Sequence, residues 1–449
     1  MTGPTGKPAA TTPSKLGALA ERPFRLLWIA RTTSSFGDAL MPVTLAFSVL
    51  SVGGSATDIG IVLATSTVVR VSLLLFGGTL ADRVSRRLLI VGSDVFLLAV
   101  QSCVGVLLLV QRPSVALLTV AAACYGAAAA MAKPAFTGLV PQTISAPRLH
   151  QANALMDVSR STSEILGPLV AGVAVATTSV GWVYLADAAT FLASAIAVAL
   201  LKLPPSQPRA RVSFFADLVV GWREMVSRPW YWIALCCHAL WNLGFCAFLV
   251  LGPVITAGHT GGATAWGMIS TSMAVGSLVG GALALRWRPQ RPLVHAHLGL
   301  ALTAFSLATL VGPAPLWLGL SAAGVSAAGV AFVNTIWVTA VQRLVPDEVL
   351  SRVSSYNFLV SFTVAPLGYA AVGPLADWTS TTTVLVMAIG CVCVAVLAVL
   401  TVPRIRSLRQ DRDGALRGWT ELDEPVRADP GGRAQAGYDA TRELSDTRP

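Results

Sequence analysis

Residues 78–87 read GTLADRVSRR, a short charged stretch between two long apolar runs. Gly78 removes a side chain where a helix end packs on a neighbour. Asp82 can face the N-terminus of a partner helix, where the macrodipole favours an acid. Arg83, Arg86 and Arg87 need water or phosphate headgroups. Alone, such a stretch is a basic turn that fixes topology in any protein with several spans, so its meaning depends on what flanks it.

The flanks are those of a membrane protein. Of 449 residues, 54% are hydrophobic and 12% charged, and the mean hydropathy is +0.67; a soluble domain carries about a quarter charged residues. Residues 403–449 hold nine arginines and nine acids, so the net charge of +10 arises entirely in the first 402 residues. That surplus is scattered over short loops, which argues for a lipid bilayer as partner and against nucleic acid. The seven cysteines all fall in apolar runs without metal-binding spacing and read as small buried hydrophobes. No metal or cofactor motif, nucleophile–base pairing or G-x-x-x-x-G-K-[ST] loop appears, so neither an enzyme nor an ATP-driven pump is indicated.

Apolar runs recur at 24–52, 57–81, 88–110, 114–140, 152–178 and 181–203, then at 230–257, 264–287, 292–312, 315–341, 352–376 and 380–402. Each is long enough to cross a hydrocarbon core of about 30 Å as a helix. Basic residues cluster at alternate connections, including Arg148, Lys202, Arg209, Arg286, Arg291 and Arg343, and the opposite connections hold Arg112. The positive-inside rule then places both termini in the cytoplasm of a plasma-membrane protein. The domain plan is a cytoplasmic tail (1–23), a six-helix bundle (24–203), a cytoplasmic connector (204–229), a second six-helix bundle (230–402) and a disordered cytoplasmic tail (403–449). Within the connector, Phe214, Phe215, Leu218, Trp222 and Met225 recur at helical spacing and predict an amphipathic helix on the inner surface. The halves are weakly repeated: Val140-Pro141 and Val345-Pro346 end corresponding spans, as expected of a transporter.

With its place between spans 2 and 3 established, GTLADRVSRR resembles the loop signature G-x-x-x-D-R-x-G-R-R of the major facilitator superfamily, Ser85 standing for the last glycine. LGPLVAG (166–172) is similar to the Gly-Pro stretch of the superfamily's antiporters, without its upstream glycines, and makes Gly167, Pro168 and Gly172 a candidate kink. LVPDEVLSRVSS (344–355) and LVPQTISAPRLHQANAL (139–155) resemble the macrolide-efflux and enterobactin-exporter branch of drug:proton antiporters. The resemblance implies an all-α fold of twelve transmembrane helices in two pseudo-symmetric six-helix bundles. Spans 1, 4, 7 and 10 would line a central cavity, and spans 2, 5, 8 and 11 the interface between halves.

Ionisable residues inside spans are functional candidates because their burial in lipid is costly. Asp38, Arg70 and Glu164 each lie about 20 Å from the cytosolic ends of their spans at 1.5 Å per residue. They form either a proton-coupling group or a fixed ion-pair triad that orders the first bundle. Pro42 and Pro168 follow the two acids by four residues and would bend the spans beside them. Nearer the cytosol, Arg31, Asp94, Lys133 and Arg160 form either an electropositive vestibule or gating pairs, Asp94 or Asp157 partnering Arg83, Arg86 or Arg160. In the gating reading Gly78, Asp82, Arg83, Arg86, Arg87, Arg160 and Asp94 form a conformational latch, with Asp82 holding the start of span 11. Substrate-cavity candidates are Arg31, Ser35, Tyr125, His238, Trp241, Asn242, Asn334 and Trp337, aromatic and polar groups suited to a large solute of mixed polarity. His295 and His297 read as incidental.

These readings favour a monomeric, proton-coupled exporter of a small organic molecule such as a drug, antibiotic or siderophore. The alternatives are a dedicated metabolite importer or uniporter, or a membrane sensor. In a cysteine-free background, Ser206→Cys should react with a membrane-impermeant maleimide only after the membrane is opened, and Ser114→Cys should react in intact cells. The reverse pattern would invert the topology.

Overall fold

The computed structural model describes residues 17–111, 113–201, 222–223, 225–259, 261–287, 289–345, 347–410 and 416–417, with side chains for all of these except 74–83, 259, 347–362, 410 and 416–417. Among the described residues twelve helical spans follow one another. Spans 1 to 6 are Arg22–Ser51, Ala56–Arg83, Arg86–Leu109, Val115–Thr143, Leu149–Thr177 and Val180–Ala199. Spans 7 and 8 are Pro229–His259 and Gly262–Arg286. Span 9 is split into Pro292–Ala301 and Thr303–Ala308, and spans 10 to 12 are Leu316–Leu344, Asp347–Trp378 and Thr381–Thr401. Among the described residues nine of these helices are long and apolar enough to cross a membrane; Leu149–Thr177, Asp347–Trp378 and the split span 9 are the others. Span 5 falls short in hydropathy because Asp157, Arg160 and Glu164 occupy its first half.

Local chemistry sets the helix ends. Ser85, Ser114 and Ser380 accept hydrogen bonds from the backbone N–H groups of Leu88, Leu117 and Thr383, capping spans 3, 4 and 12. Gly261 and Gly262, with φ of 95° and 64°, make the tight turn between spans 7 and 8. Gly78 does not end its helix: span 2 continues to Arg83, and the break is confined to Val84 and Ser85. Ser85 has φ −60°, so this turn needs no glycine and gains a capping hydroxyl from the serine. In span 9, Thr303 Oγ1 donates to the Leu300 carbonyl at 2.7 Å and accepts the Trp241 indole N–H at 2.9 Å. The helix divides at this position, where a hydroxyl competes with the backbone ladder.

Spans 1, 5 and 6, spans 2 and 4, and spans 3 and 6 pack within the first half. Spans 7, 11 and 12, spans 8 and 10, and spans 9 and 10 pack within the second. Two seams join the halves, span 2 on span 11 and span 5 on span 8. Both depend on missing side chains. A Cβ at Gly172 would lie 2.5 Å from the Ala263 carbonyl oxygen, and one at Gly267 2.5 Å from that of Pro168. At Gly60 it would overlap the Tyr369 carbonyl, and at Gly373 the backbone of Thr57. Hydrogen bonds sit on the same lines: Thr57 to Asp377 at 2.8 Å, and Thr271 to the Ile165 carbonyl at 2.9 Å.

The first turn beyond span 12 is folded. Pro403–Ser407 is helical, and Ile405 and Leu408 are fully buried in a cluster with Trp230, Tyr231 and Trp337. Arg409–Gln410 then pairs antiparallel with Leu416–Arg417. The expectation of a tail disordered from residue 403 missed these two apolar anchors. Of the connector's amphipathic segment, residues 214–221 lie outside the described residues; Met225 is buried and Trp222 exposed. Before span 1, Glu21 accepts from the backbone N–H and hydroxyl of Ser145 and pairs with Arg148 at 3.2 Å. The Ser145 hydroxyl, then its amide and Arg148, hold this carboxyl below the usual range.

A Gly267→Val substitution should force spans 5 and 8 apart. Overpacking of this kind costs about 1–3 kcal/mol, a shift of about 5–150-fold in the balance of states. Distance distributions between spin labels across the seam should broaden outward; an unchanged distribution would show that the seam accommodates the side chain.

Candidate functional site

The interior of the first bundle holds three carboxyls. Asp187, on span 6, is fully buried; the Gln101 amide of span 3 donates to its Oδ2 at 2.5 Å, and its Oδ1 lies against Gly37 of span 1. Asp94, on span 3, is 2% exposed and accepts from the Ser194 hydroxyl at 2.7 Å. Asp38, on span 1, is half-buried and accepts a short hydrogen bond from the Tyr125 hydroxyl of span 4. Among the described residues no lysine or arginine forms an ion pair with any of the three. The cations whose charge reaches Asp38 are Arg31 and Lys133, and its charge in turn reaches Asp94 and Asp187. Hydroxyls and an amide thus solvate these acids where a charged partner would be the usual solution for a buried charge.

Other candidates fall differently from expectation. Arg70 is exposed and pairs with neither Asp38 nor Glu164. Glu164 is exposed and bonds Arg160 one turn away at 2.7 Å, with Asp157 3.9 Å from the same guanidinium. The i,i+4 spacing on one helix satisfies both groups locally, so the three residues expected in one layer do not meet. Asp94 pairs with neither Arg86 nor Arg160, because it points into the bundle toward span 6. Arg86 donates to the Gly138 carbonyl at 2.6 Å and Arg87 to the Ala199 carbonyl at the end of span 6. Both therefore serve backbone carbonyls of their own bundle. The side chains of Gly78, Asp82 and Arg83 lie outside the described residues.

The candidate kink is a packing seam along a continuous helix. A Cβ at Gly167 would meet Ala39 of span 1 at 2.5 Å, and Gly172 faces span 8. Pro168 lies inside the same unbroken span. Arg31 sits 5.2 Å from the Phe136 ring centre, and Ser35 is buried.

In the second bundle Trp241 is half-buried and stacks on Phe245 at 5.3 Å; Asn242 is half-buried and Asn334 exposed. Trp337 is 3% exposed and packs on Tyr231 at 5.5 Å, so it is core and lines no cavity. His238 lies 3.2 Å from His297, which is therefore a partnered interior residue and not incidental. Asp187, Gln101 and His297 were missed as site residues, although an acid inside the apolar run VYLADAATFLA was itself a signal.

Two six-helix bundles joined by thin glycine seams, with polar groups on spans 1, 4, 7 and 10, define a membrane transporter. The Major Facilitator Superfamily model matches residues 27–369, and the chain belongs to that family. It is 26% identical over 400 residues to the enterobactin exporter EntS of Escherichia coli O1:K1 / APEC, covering 86% of this chain and 93% of that protein. The EntS protein of Citrobacter koseri is likewise 26% identical over 401 residues, with the same shares covered. Among solved structures, the nucleoside transporter NupG superposes with a TM-score of 0.68 at 12% identity, covering 84% of this chain and 98% of that one. A bacterial homologue of the iron transporter ferroportin, in an inward-facing state, gives 0.66 at 14% identity, with 85% and 98% covered. These likenesses support a transporter and not an enzyme.

Gln101→Leu should lower stability by about 1–3 kcal/mol, because it leaves Asp187 buried without its amide donor. The double variant Gln101→Leu/Asp187→Leu should recover most of that loss. Thermal unfolding in detergent measures both; a double variant no more stable than the single would contradict the pairing.

Proposed function

We propose that this transporter is a proton-coupled exporter of a small organic molecule, monomeric, with both termini cytoplasmic, working by alternating access. The observation that carries the reading is Asp38: a half-buried carboxyl on a cavity span, bonded to a hydroxyl of the neighbouring cavity span and free of any ion pair among the described residues. A carboxyl locked to an arginine is a poor proton carrier, since the countercharge holds it ionised. One solvated by a tyrosine hydroxyl can take and release a proton with little rearrangement. Gln101–Asp187 and Asp94–Ser194 back it from behind as buried scaffold. Glu164 and Arg70 are assigned secondary parts, Glu164 through its pair with Arg160.

Seam contacts at Thr57, Gly172, Thr264 and Gly373 all lie toward the connections expected outside, which supports an inward-facing state. Exposed polar side chains on the opposite halves of the spans, Lys133, Arg160, Asn334 and Gln342, fit a water-filled cleft open to the cytoplasm. Within it Trp241, Phe245, Asn242 and Asn334 offer stacking faces and amides to a planar, mixed-polarity solute. The exporter relatives favour a siderophore-like cargo; drugs and antibiotics are the wider class. The stretch 78–87 would be the latch that closes this side, with Arg86 and Arg87 bonded to carbonyls of spans 4 and 6.

In proteoliposomes, uphill accumulation of a cargo should collapse on adding an uncoupler. Asp38→Asn should abolish gradient-driven accumulation while keeping downhill exchange, and Glu164→Gln should keep both. Uncoupler-resistant transport, or full coupling in Asp38→Asn, would overturn this reading.

A further inference from the structure

The second bundle holds a histidine pair whose hydrogen bonding fixes where its protons are. His297, on span 9, is fully buried, and its Nδ1 lies 2.7 Å from the Leu293 carbonyl oxygen of its own helix. A carbonyl only accepts, so Nδ1 carries the proton, and neutral His297 presents a lone pair at Nε2. That Nε2 is 3.2 Å from Nε2 of His238 on span 7, with the two rings within 14° of parallel. The contact is a hydrogen bond only if His238 Nε2 donates, which leaves the lone pair of neutral His238 on Nδ1. His238 is half-buried where His297 is sealed, and its Nδ1 has no partner among the described residues.

The pair therefore has one open valence, and it points away from the buried partner. A proton added at His238 Nδ1 breaks none of the existing bonds: the imidazolium still donates from Nε2 to His297. A proton added at His297 instead would set two N–H groups against each other. Trp337 meets both rings edge to face, at 5.0 Å from His238 and 6.2 Å from His297, and an aromatic ring is a favourable neighbour for a cation.

The buried cluster to which Trp337 belongs is apolar or neutral: span 7 contributes Tyr231 and Cys237, span 9 Leu293, span 10 Ala340 and Val341, span 12 Ala395 and Val399, and the following turn Ile405 and Leu408. The cations on or flanking these elements are Arg228, Arg291, Arg343, Arg404 and Arg406. Span 11 side chains from 347 to 362 lie outside the described residues. No carboxylate among the described residues offsets a proton held here, so loading it adds a net charge between spans 7, 9 and 10.

We propose that His238 and His297 form a proton-loading site of the second bundle, separate from Asp38, which takes one proton at His238 Nδ1. The inference rests on the proton-coupled reading for its use in transport, and on geometry alone for the site itself.

The test is nitrogen NMR of the full chain in lipid nanodiscs, labelled with 15N-histidine and titrated over about pH 5–8, where histidine changes charge. His238→Gln and His297→Gln assign the signals. Nδ1 of His238 should pass from lone pair to N–H as the pH falls, while His238 Nε2 and His297 Nδ1 keep their protons and His297 Nε2 keeps its lone pair. In proteoliposomes, the pH profile of transport by His238→Gln, normalised to that variant's own maximum, should lose one step. A His238 Nδ1 that never changes its protonation, a proton on His297 Nε2, or a uniform loss of transport at every pH would overturn the site and leave only a helix clasp. Uncoupler-resistant transport with a titrating His238 would instead defeat the proton-coupled reading and leave the site standing.

Discussion

The halves of this transporter touch through bare backbone. At Gly172 and Gly267 on one seam, and at Gly60 and Gly373 on the other, the space a Cβ would need is already taken by the partner helix. In lipid there is no hydrophobic force to press two apolar helices together, so close approach of small residues supplies the contact energy. Thr57, Thr264 and Thr271 add hydrogen bonds along the same lines. Such seams are thin and mostly dispersive, which would suit contacts that open and re-form if the halves rock against each other.

The two bundles solve the problem of interior polarity differently. The first places three carboxyls among hydroxyl and amide donors, with Asp38 nearest the cleft and Asp187 and Asp94 behind it. The second contains no buried acid among the described residues and uses aromatic rings with a histidine pair. A carrier that must couple proton movement to solute movement needs titratable groups that can change charge without dismantling a helix contact. Asp38 would meet that need because Tyr125 can bond either protonation state, as donor to the carboxylate or to the acid's carbonyl oxygen. The proposed histidine site would meet it through the Nδ1 of His238.

The fold was legible in the sequence because its determinants are long and local. Long apolar runs gave helices whose ends fall within a few residues of those expected. Span 9 departed because Thr303 carries its message in a hydroxyl contact with Trp241, far away in the chain. The site was only partly legible, for a related reason. Depth along a helix can be counted from its end, which is how Asp38 was placed about 20 Å from the cytosolic end of span 1. Azimuth cannot be counted without knowing the neighbours. Arg70, Glu164 and Asp38 share a depth but face different ways, and Trp337 faces the core and not the cleft. His297 looked peripheral until span 9 was packed on span 7.

For Asp38 to couple transport, its carboxyl must be free to exchange its proton. Infrared titration of the purified protein in lipid tests it without knowledge of the cargo. A protonated-carboxyl stretching band should change with bulk pH, shift in Tyr125→Phe through loss of the hydroxyl bond, and be missing in Asp38→Asn. Identical pH-dependent spectra for wild type and Asp38→Asn would contradict it.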